Sequence, residues 1–126
     1  MPVVRADDLD FAGLPGRMSA DPLRAASAST AKDAGCSVRV VRIAPGPRRP
    51  HVHAHSAEVA YVVEGEGRAW EGDVATAVAG GDVLLIPAGT PHATVASGSS
   101  DLVLVCFFPH SDLAANLEEL EGPPRT

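Results

Sequence analysis

The chain has 126 residues, with 10 Lys and Arg against 16 Asp and Glu, and its formal net charge is −6. This is the length of one domain, and the acidic balance argues against nucleic acid or an anionic membrane surface as the main partner. No apolar stretch approaches the roughly 20 residues of a membrane span, and the first residues lack the apolar core of an export signal. The only cysteines are Cys36 and Cys106, so we expect a reduced, cytoplasmic protein without a disulfide framework.

Residues 1–35 are the least regular part of the sequence, because a turn-rich stretch over residues 13–16 is followed by an Ala- and Ser-rich stretch. We predict an N-terminal extension here, either one edge strand or loosely ordered chain. The alanines between Leu23 and Ala34 have enough helical propensity that a short helix is the alternative.

Between residues 36 and 110, short Val-rich segments alternate with glycine and proline turns, a pattern typical of β-strands. We predict strands over residues 37–43, 59–64, 74–79, 83–86, 92–96 and 102–108. The last segment is apolar throughout, so we expect it to be buried on both faces. Its outer face is then a subunit interface, and we expect a homodimer.

Residues 111–126 follow the strand region. Ser111 can cap a helix, and Leu113, Leu117 and Leu120 have helical spacing, which predicts a short helix from Asp112 to about Leu120, followed by a tail. With at least six short strands and helix only at the end, the chain is predicted to be an all-β domain, either a sandwich or a small barrel.

Four residues in the strand region have the types and spacing of a metal site. His51 and His53 are alternate residues of one extended segment, so their side chains point the same way, with Cα atoms about 7 Å apart. Glu58 follows after a short turn that would fold its carboxylate back toward them, and His92 follows the rigid Pro87–Pro91 bend. Three imidazoles and one carboxylate suit a divalent transition ion and leave open coordination positions.

Two motifs in the same region resemble those of the cupin superfamily. The first comprises Gly46, His51-Val52-His53, Glu58 and Gly65, and the second comprises Gly81, Pro87, Gly89 and His92. Two departures stand out: the gap from Gly46 to His51 is one residue shorter than usual, and Ala96 replaces the final asparagine of the second motif. The resemblance implies a single jelly-roll β-barrel. It also implies that His51, His53, Glu58 and His92 bind one divalent ion, with Fe, Mn, Ni, Co, Cu and Zn all compatible.

Several other polar residues have open roles. His55 is a turn residue or a partner of the ligands, and His55 and Tyr61 are the candidate proton acceptors because Glu58 is occupied as a ligand. Arg39 and Arg42 have opposite strand parity, so one of them faces inward as an anion clamp. Arg17 is an alternative clamp if the N-terminal segment covers the mouth of the barrel.

The resemblance implies a small-molecule metalloenzyme of the dioxygenase type or of the cyclase or isomerase type. We expect its substrate, an anionic or polar small molecule, to bind inside the barrel. The alternative is a non-catalytic, metal-dependent binding or sensing protein, because no acid/base pair is evident beyond the ligands. A homodimer in which the metal only holds the barrel together is a third, weaker reading.

Overall fold

The computed structural model describes residues 3–26 and 34–126. In these ranges the chain is mostly β, with eleven strands, one short helix (Pro22–Ala26) and two 3₁₀ turns (Ala6–Asp8 and Ala114–Asn116). The alternative helix between Leu23 and Ala34 falls partly on residues outside those described. Among the described residues, no helix has both the length and the apolar character needed to cross a membrane.

The strands form two antiparallel sheets that pack face to face. The first sheet has six strands, in the order β1 (Ala12–Leu14), β2 (Arg17–Ala20), β3 (Ser37–Ile43), β10 (Leu102–Phe108), β5 (Glu58–Glu64) and β8 (Val83–Ile86). The second has five, in the order β11 (Glu118–Glu119), β4 (His51–Val52), β9 (His92–Ala96), β6 (Glu66–Glu71) and β7 (Val74–Ala79). The N-terminal extension thus contributes two strands, β1 and β2, to the edge of the six-stranded sheet.

The core lies between the sheets because alternate residues of each strand point inward. On β10 the inward residues Leu102, Leu104, Cys106 and Phe108 are all buried. Phe107, which points outward between two of them, keeps 40 % of its surface exposed. We predicted that both faces of β10 are buried. In a single chain the inner face is fully buried, whereas the outer face is not.

The two sheets do not close into a barrel, so the expectation of a closed jelly-roll barrel is wrong. β7 and β8 are end strands of different sheets and do not pair, although only a short turn joins them. In that turn Gly81 has a φ of +98°, and its N–H donates to the Val62 carbonyl at 2.8 Å. The Val62 N–H donates in turn to the Asp82 carbonyl at 2.9 Å. These two bonds attach the chain to β5, so that β8 continues along β5 instead of along β7.

The helix expected from Asp112 to about Leu120 is also wrong. A 3₁₀ turn over Ala114–Asn116 is followed by β11, which pairs with β4. Leu113 packs against the core, and the Leu120 N–H donates to the Pro50 carbonyl at 3.1 Å. A segment this short gains little from helix formation alone, so its hydrogen bonds and packing against the sheets decide its conformation.

Candidate metal centre

Four residues from the two sheets meet at one point between them. His51 starts β4 and His92 starts β9, and the two are direct partners in the pairing of these strands. His53 directly follows β4, whereas Glu58 starts β5 in the opposite sheet. One ligand atom from each residue lies within 4.8 Å of the other three. The structure therefore brings together all four residues predicted as ligands, and we call them the His/Glu cluster.

The cluster is buried on all sides. Each of its four side chains belongs to a residue that is at most 7 % exposed, and the centres of the three imidazole rings lie 4.4–5.2 Å apart. The ring of Phe108 lies 4.6 Å from the His53 ring, so an aromatic wall covers one side. Burying this many polar groups is costly unless each finds a partner.

Main-chain carbonyls hold two of the imidazoles by their Nδ1 atoms. His53 Nδ1–H donates to the Asn116 carbonyl at 2.7 Å, and His92 Nδ1–H donates to the Thr90 carbonyl at 2.8 Å. Because a carbonyl can only accept, the proton of each neutral ring is on Nδ1, and Nε2 keeps a free lone pair. Both Nε2 atoms lie 3.0 Å from the same oxygen, Oε2 of Glu58.

Burial and neighbouring charges determine the protonation states of the cluster. Burial, followed by the nearby His92, lowers the pKa of His51 to about 2. Burial alone would raise the pKa of Glu58, but interactions with His53 and His92 outweigh it and hold that pKa well below the usual 4.5. At neutral pH His51 is neutral and Glu58 is an anion, which are the forms that coordinate metal.

These features fit a metal ion at the centre of the cluster. The Nε2 atoms of His53 and His92 converge on one carboxylate oxygen of Glu58, and the His92 contact has hydrogen-bond geometry at 3.0 Å. The Nε2 atom of His53 is out of line for a hydrogen bond to Glu58, and the buried Nδ1 atom of His51 also lacks a partner among the described residues. A cation at this point would attract the carboxylate and the nitrogen lone pairs together, and three imidazoles with one carboxylate suit a divalent transition ion.

Asn116 supports the cluster from the C-terminal segment, and no sequence pattern singled it out. Its side chain is fully buried. The Oδ1 atom accepts from the His55 N–H at 2.7 Å, and Nδ2 donates to the Ser56 hydroxyl at 2.8 Å. Since its carbonyl also accepts from His53 (above), Asn116 fixes the turn that joins His53 to Glu58.

Of the three arginines considered as anion clamps, two face the site. Arg17 and Arg39 line the cavity that contains the cluster, whereas Arg42 is exposed on the opposite face of its sheet. Arg17 is paired with Glu119 at 2.9 Å, and Arg39 is paired with Asp21 at 3.2 Å. Both inward arginines therefore already have an acidic partner within the chain.

Arg48, which sequence patterns did not identify as a site residue, lines the same cavity. The residue is 5 % exposed, its Nη1 donates to the Thr94 carbonyl, and its Nε has no partner among the described residues. Burial, followed by the charge of Arg17, lowers its pKa to about 10, so the guanidinium stays charged at neutral pH. Strand parity could not place this side chain, because Arg48 forms only an isolated bridge to Arg125 outside the regular strands.

The cavity beside the cluster is small, with a volume of about 40 Å³. This is room for about three water molecules, at roughly 10–15 Å³ each. A wider space of about 580 Å³ lies beyond it, and the residues that line both are Leu14, Leu113 and Leu117 together with the polar Ser19 and Arg39. These residues therefore stand between the cluster and the wider space.

The two residues considered as proton acceptors lie away from this cavity. His55 is exposed, and its ring stacks on that of His110 with 5.7 Å between the ring centres. Tyr61 is 48 % exposed on the outer face of β5. Neither side chain lines the cavity that contains the cluster.

Comparison with known proteins assigns the family. The family model described as a cupin domain matches residues 39–108, which is more than half of the chain and includes the whole His/Glu cluster. No curated protein matches the chain with significance.

Several solved structures share the fold. A protein described as a predicted oxalate decarboxylase from Thermotoga maritima is 20 % identical, with a TM-score of 0.73 over 84 % of this chain and 96 % of that one. KdgF from Halomonas sp. is 21 % identical, with a TM-score of 0.68 over 87 % of this chain and 94 % of that one. Oxalate decarboxylase from Lactobacillus farciminis is 22 % identical, with a TM-score of 0.68 over 90 % of this chain but only 34 % of that one. At these identities, the similarity concerns the fold.

Proposed function

The chain belongs to the cupin domain family, and we propose that it is an enzyme that uses one divalent metal ion to transform a small carboxylate. In this proposal the His/Glu cluster holds the ion, and Arg48 binds the carboxylate of the substrate. The reaction is of the dioxygenase type or of the cyclase or isomerase type. The observation that carries the proposal is the buried positive charge of Arg48 in the cavity that the cluster also lines.

A buried guanidinium is costly unless an anion compensates for it. Arg17 and Arg39 have carboxylate partners, but Arg48 forms no ion pair with a carboxylate among the described residues. Its fork of N–H donors matches a carboxylate, which it can bind through two parallel hydrogen bonds. An anionic substrate would therefore supply the partner that this part of the chain does not.

The size of the cavity supports a small substrate. A volume of about 40 Å³ suits a molecule of a few heavy atoms, and of the structural neighbours one is described as an oxalate decarboxylase and another as a predicted one. Oxalate is one of the smallest molecules that carries two carboxylates, so it is the first substrate to test.

The residues of the chain would position the substrate and exclude water from the cavity. Arg48 would hold one carboxylate, and Leu14, Leu113 and Leu117 would keep bulk water out of the cavity. Water exclusion strengthens the attraction between Arg48 and an anion, because charges interact more strongly at low dielectric. A bound divalent ion would supply Lewis acidity toward substrate oxygens, or open positions for dioxygen.

The proposal is tested in two steps. The metal content of protein purified without added metal is measured first by elemental analysis, and we expect close to one divalent ion per chain. The loaded protein is then incubated with oxalate, glycolate and larger hydroxy acids, while oxygen uptake and substrate loss by NMR are followed. Turnover of at least one small carboxylate supports the proposal. A metal-loaded protein that transforms none of them contradicts it.

Arg48→Lys tests the role of the guanidinium. This change keeps the charge but removes the fork, so we expect KM for the carboxylate to rise at least tenfold while the metal content stays unchanged. Arg49→Lys is the matched control, because Arg49 is adjacent but exposed, and its KM should equal that of the parent protein. Equal KM values for the Arg48 variant and the control would contradict carboxylate binding at Arg48.

The second candidate is a non-catalytic, metal-dependent binding protein. One observation favours it: apart from the cluster itself, the ionisable described residues that line the cavity are arginines and Cys106. Burial, followed by the charge of Glu58, raises the pKa of the Cys106 thiol, so the thiol stays protonated and does not serve as a base. Tight binding of a carboxylate without turnover, measured by calorimetry on the metal-loaded protein, would select this candidate.

A further inference from the structure

The two sheets leave a groove open between β7 and β8, which are end strands of different sheets and do not pair with each other. We call it the β7–β8 groove, and its volume is about 230 Å³. It is separate from the cavity that Arg48 lines, and of the described residues only His92 and Thr94 line both. The proposed function leaves this groove without a role.

Small side chains explain why this space between the sheets is not filled. Thr94 on β9, Ala69 on β6 and Thr76 on β7 are direct partners and form one row across the inner face of the five-stranded sheet. None of these side chains is larger than that of threonine, so the row extends only a short way toward the facing sheet. The unfilled space is therefore a consequence of the sequence of these three strands.

The walls of the β7–β8 groove are mainly apolar. Val74 and Val78 line it from β7, whereas Leu84 and Ile86 line it from β8. Val74 has the same strand parity as Val78, which belongs to the core, yet it is 68 % exposed. An inward-facing valine with this exposure shows that the groove is open to solvent. Because a cavity of about 150 Å³ holds benzene, the groove has room for an aromatic ring with a short side arm.

One carboxylate lies at the end of the groove nearest the His/Glu cluster. Glu71 on β6 lines the groove and is the direct partner of His92 on one side and of Val74 on the other. Directly opposite residues share a face of the sheet, so Glu71 is on the inner face. It is exposed and forms no ion pair among the described residues. The end of an apolar groove therefore carries an uncompensated negative charge.

We propose that the β7–β8 groove binds a small organic ammonium ion, whose apolar part fills the groove and whose ammonium group pairs with Glu71. Charge complementarity selects this class of ligand, because Glu71 attracts a cation and repels a carboxylate. The net charge of −6 also favours the approach of a cation over that of an anion. The proposal does not rest on the proposed function, since neither Arg48 nor a metal ion takes part.

Methyl NMR of the full chain tests the proposal with benzylamine and benzyl alcohol, two probes of the same shape that differ in charge. We expect both to shift the methyl signals of Val74, Val78 and Leu84, which line the groove. Benzylamine should bind about threefold to fivefold more tightly, as expected from a partly exposed ion pair. Groove methyl signals that do not move with benzylamine overturn the proposal, and so do equal dissociation constants for the two probes.

Glu71→Gln tests the ion pair, because it removes the charge and keeps the shape. We expect the dissociation constant of benzylamine to rise to that of benzyl alcohol, which should itself stay unchanged. Glu66→Gln is the matched control: Glu66 is exposed on the same strand but has the opposite parity, and the change in net charge is the same. An equal loss of benzylamine affinity in both variants overturns the proposal, because the attraction would then come from the net charge alone.

Thr76→Trp tests whether the ligand occupies the groove. Thr76 is exposed on the inner face, so an indole ring there should fill the space and weaken binding of both probes at least tenfold. Ala77→Trp is the control on the opposite face of β7, and it should bind both probes as the parent protein does. Circular dichroism establishes folding, and Val74→Trp replaces Thr76→Trp if that variant does not fold. A folded variant with tryptophan at position 76 or 74 that binds benzylamine as tightly as the parent protein overturns the proposal.

Discussion

Asn116→Ala tests how strongly the C-terminal segment supports the His/Glu cluster. The variant removes a fully buried side chain that bonds to the His55 N–H at 2.7 Å and to the Ser56 hydroxyl at 2.8 Å. The main-chain carbonyl that accepts from His53 is still present in the variant, but nothing then fixes its position relative to the turn.

The magnitude follows from these two hydrogen bonds. Each contributes about 0.5–1.5 kcal/mol net, and partners left unpaired in a buried site add about 1–3 kcal/mol. We therefore expect the free energy of unfolding of the metal-free protein to fall by about 2–6 kcal/mol. Metal affinity should fall by about 10- to 100-fold, because a partner that orients a ligand is lost.

Two measurements check this prediction. Urea unfolding of the metal-free protein gives the change in stability, and competition with a chelator of known affinity gives the change in metal binding. Ser111→Ala is the control, because Ser111 is exposed on the same segment, and it should change stability by less than about 0.5 kcal/mol. A stability loss with unchanged metal affinity would refute the argument that Asn116 orients the ligands.

His92→Ala should abolish tight metal binding in elemental analysis, whereas His110→Ala, outside the cluster, should retain the metal; equal contents would contradict the site. The metal-free protein should lose stability as pH falls below about 6.5, by about 1.4 kcal/mol per pH unit, because His51 has a pKa of about 2 when folded and binds a proton only on unfolding. Urea midpoints that do not change between pH 7 and pH 5 would refute this. Gly67→Ala should prevent folding, because its Cβ would overlap a carbonyl of the facing strand. Gly98→Ala, where a Cβ finds its nearest atom at 3.8 Å, should express as folded protein, and soluble yields compare the two.

Local sequence patterns determined the strands and the cluster. The predicted strands over residues 37–43, 74–79, 83–86, 92–96 and 102–108 have the bounds that the structure shows. Alternating polarity and Gly/Pro turns act over a few residues, so they can be read from the chain. The His/Glu cluster was also predicted, because its residues lie within two compact motifs whose spacing is fixed by strand pairing.

Contacts between distant residues determined the features that the sequence did not predict. The C-terminal segment has helical spacing of leucines, yet Asn116 and the pairing of β11 with β4 hold it in another conformation. The barrel stays open because Gly81 and Asp82 bond to Val62 on β5. Each outcome depends on a partner more than 15 residues away, and periodicity within a short window contains no information about such a partner.

By itself, the sequence determined an all-β domain with three histidines and one glutamate suited to a divalent ion. Only the tertiary structure placed Arg48 beside them. Arg48 lies outside the regular strands, so the alternation of inward and outward residues does not predict where its side chain points. The tertiary structure also separated Arg42, on the outside, from Arg17 and Arg39, which face the cavity. The physical reason is that residue type and spacing decide which atoms can coordinate a metal, whereas the burial of a charge depends on how the two sheets pack.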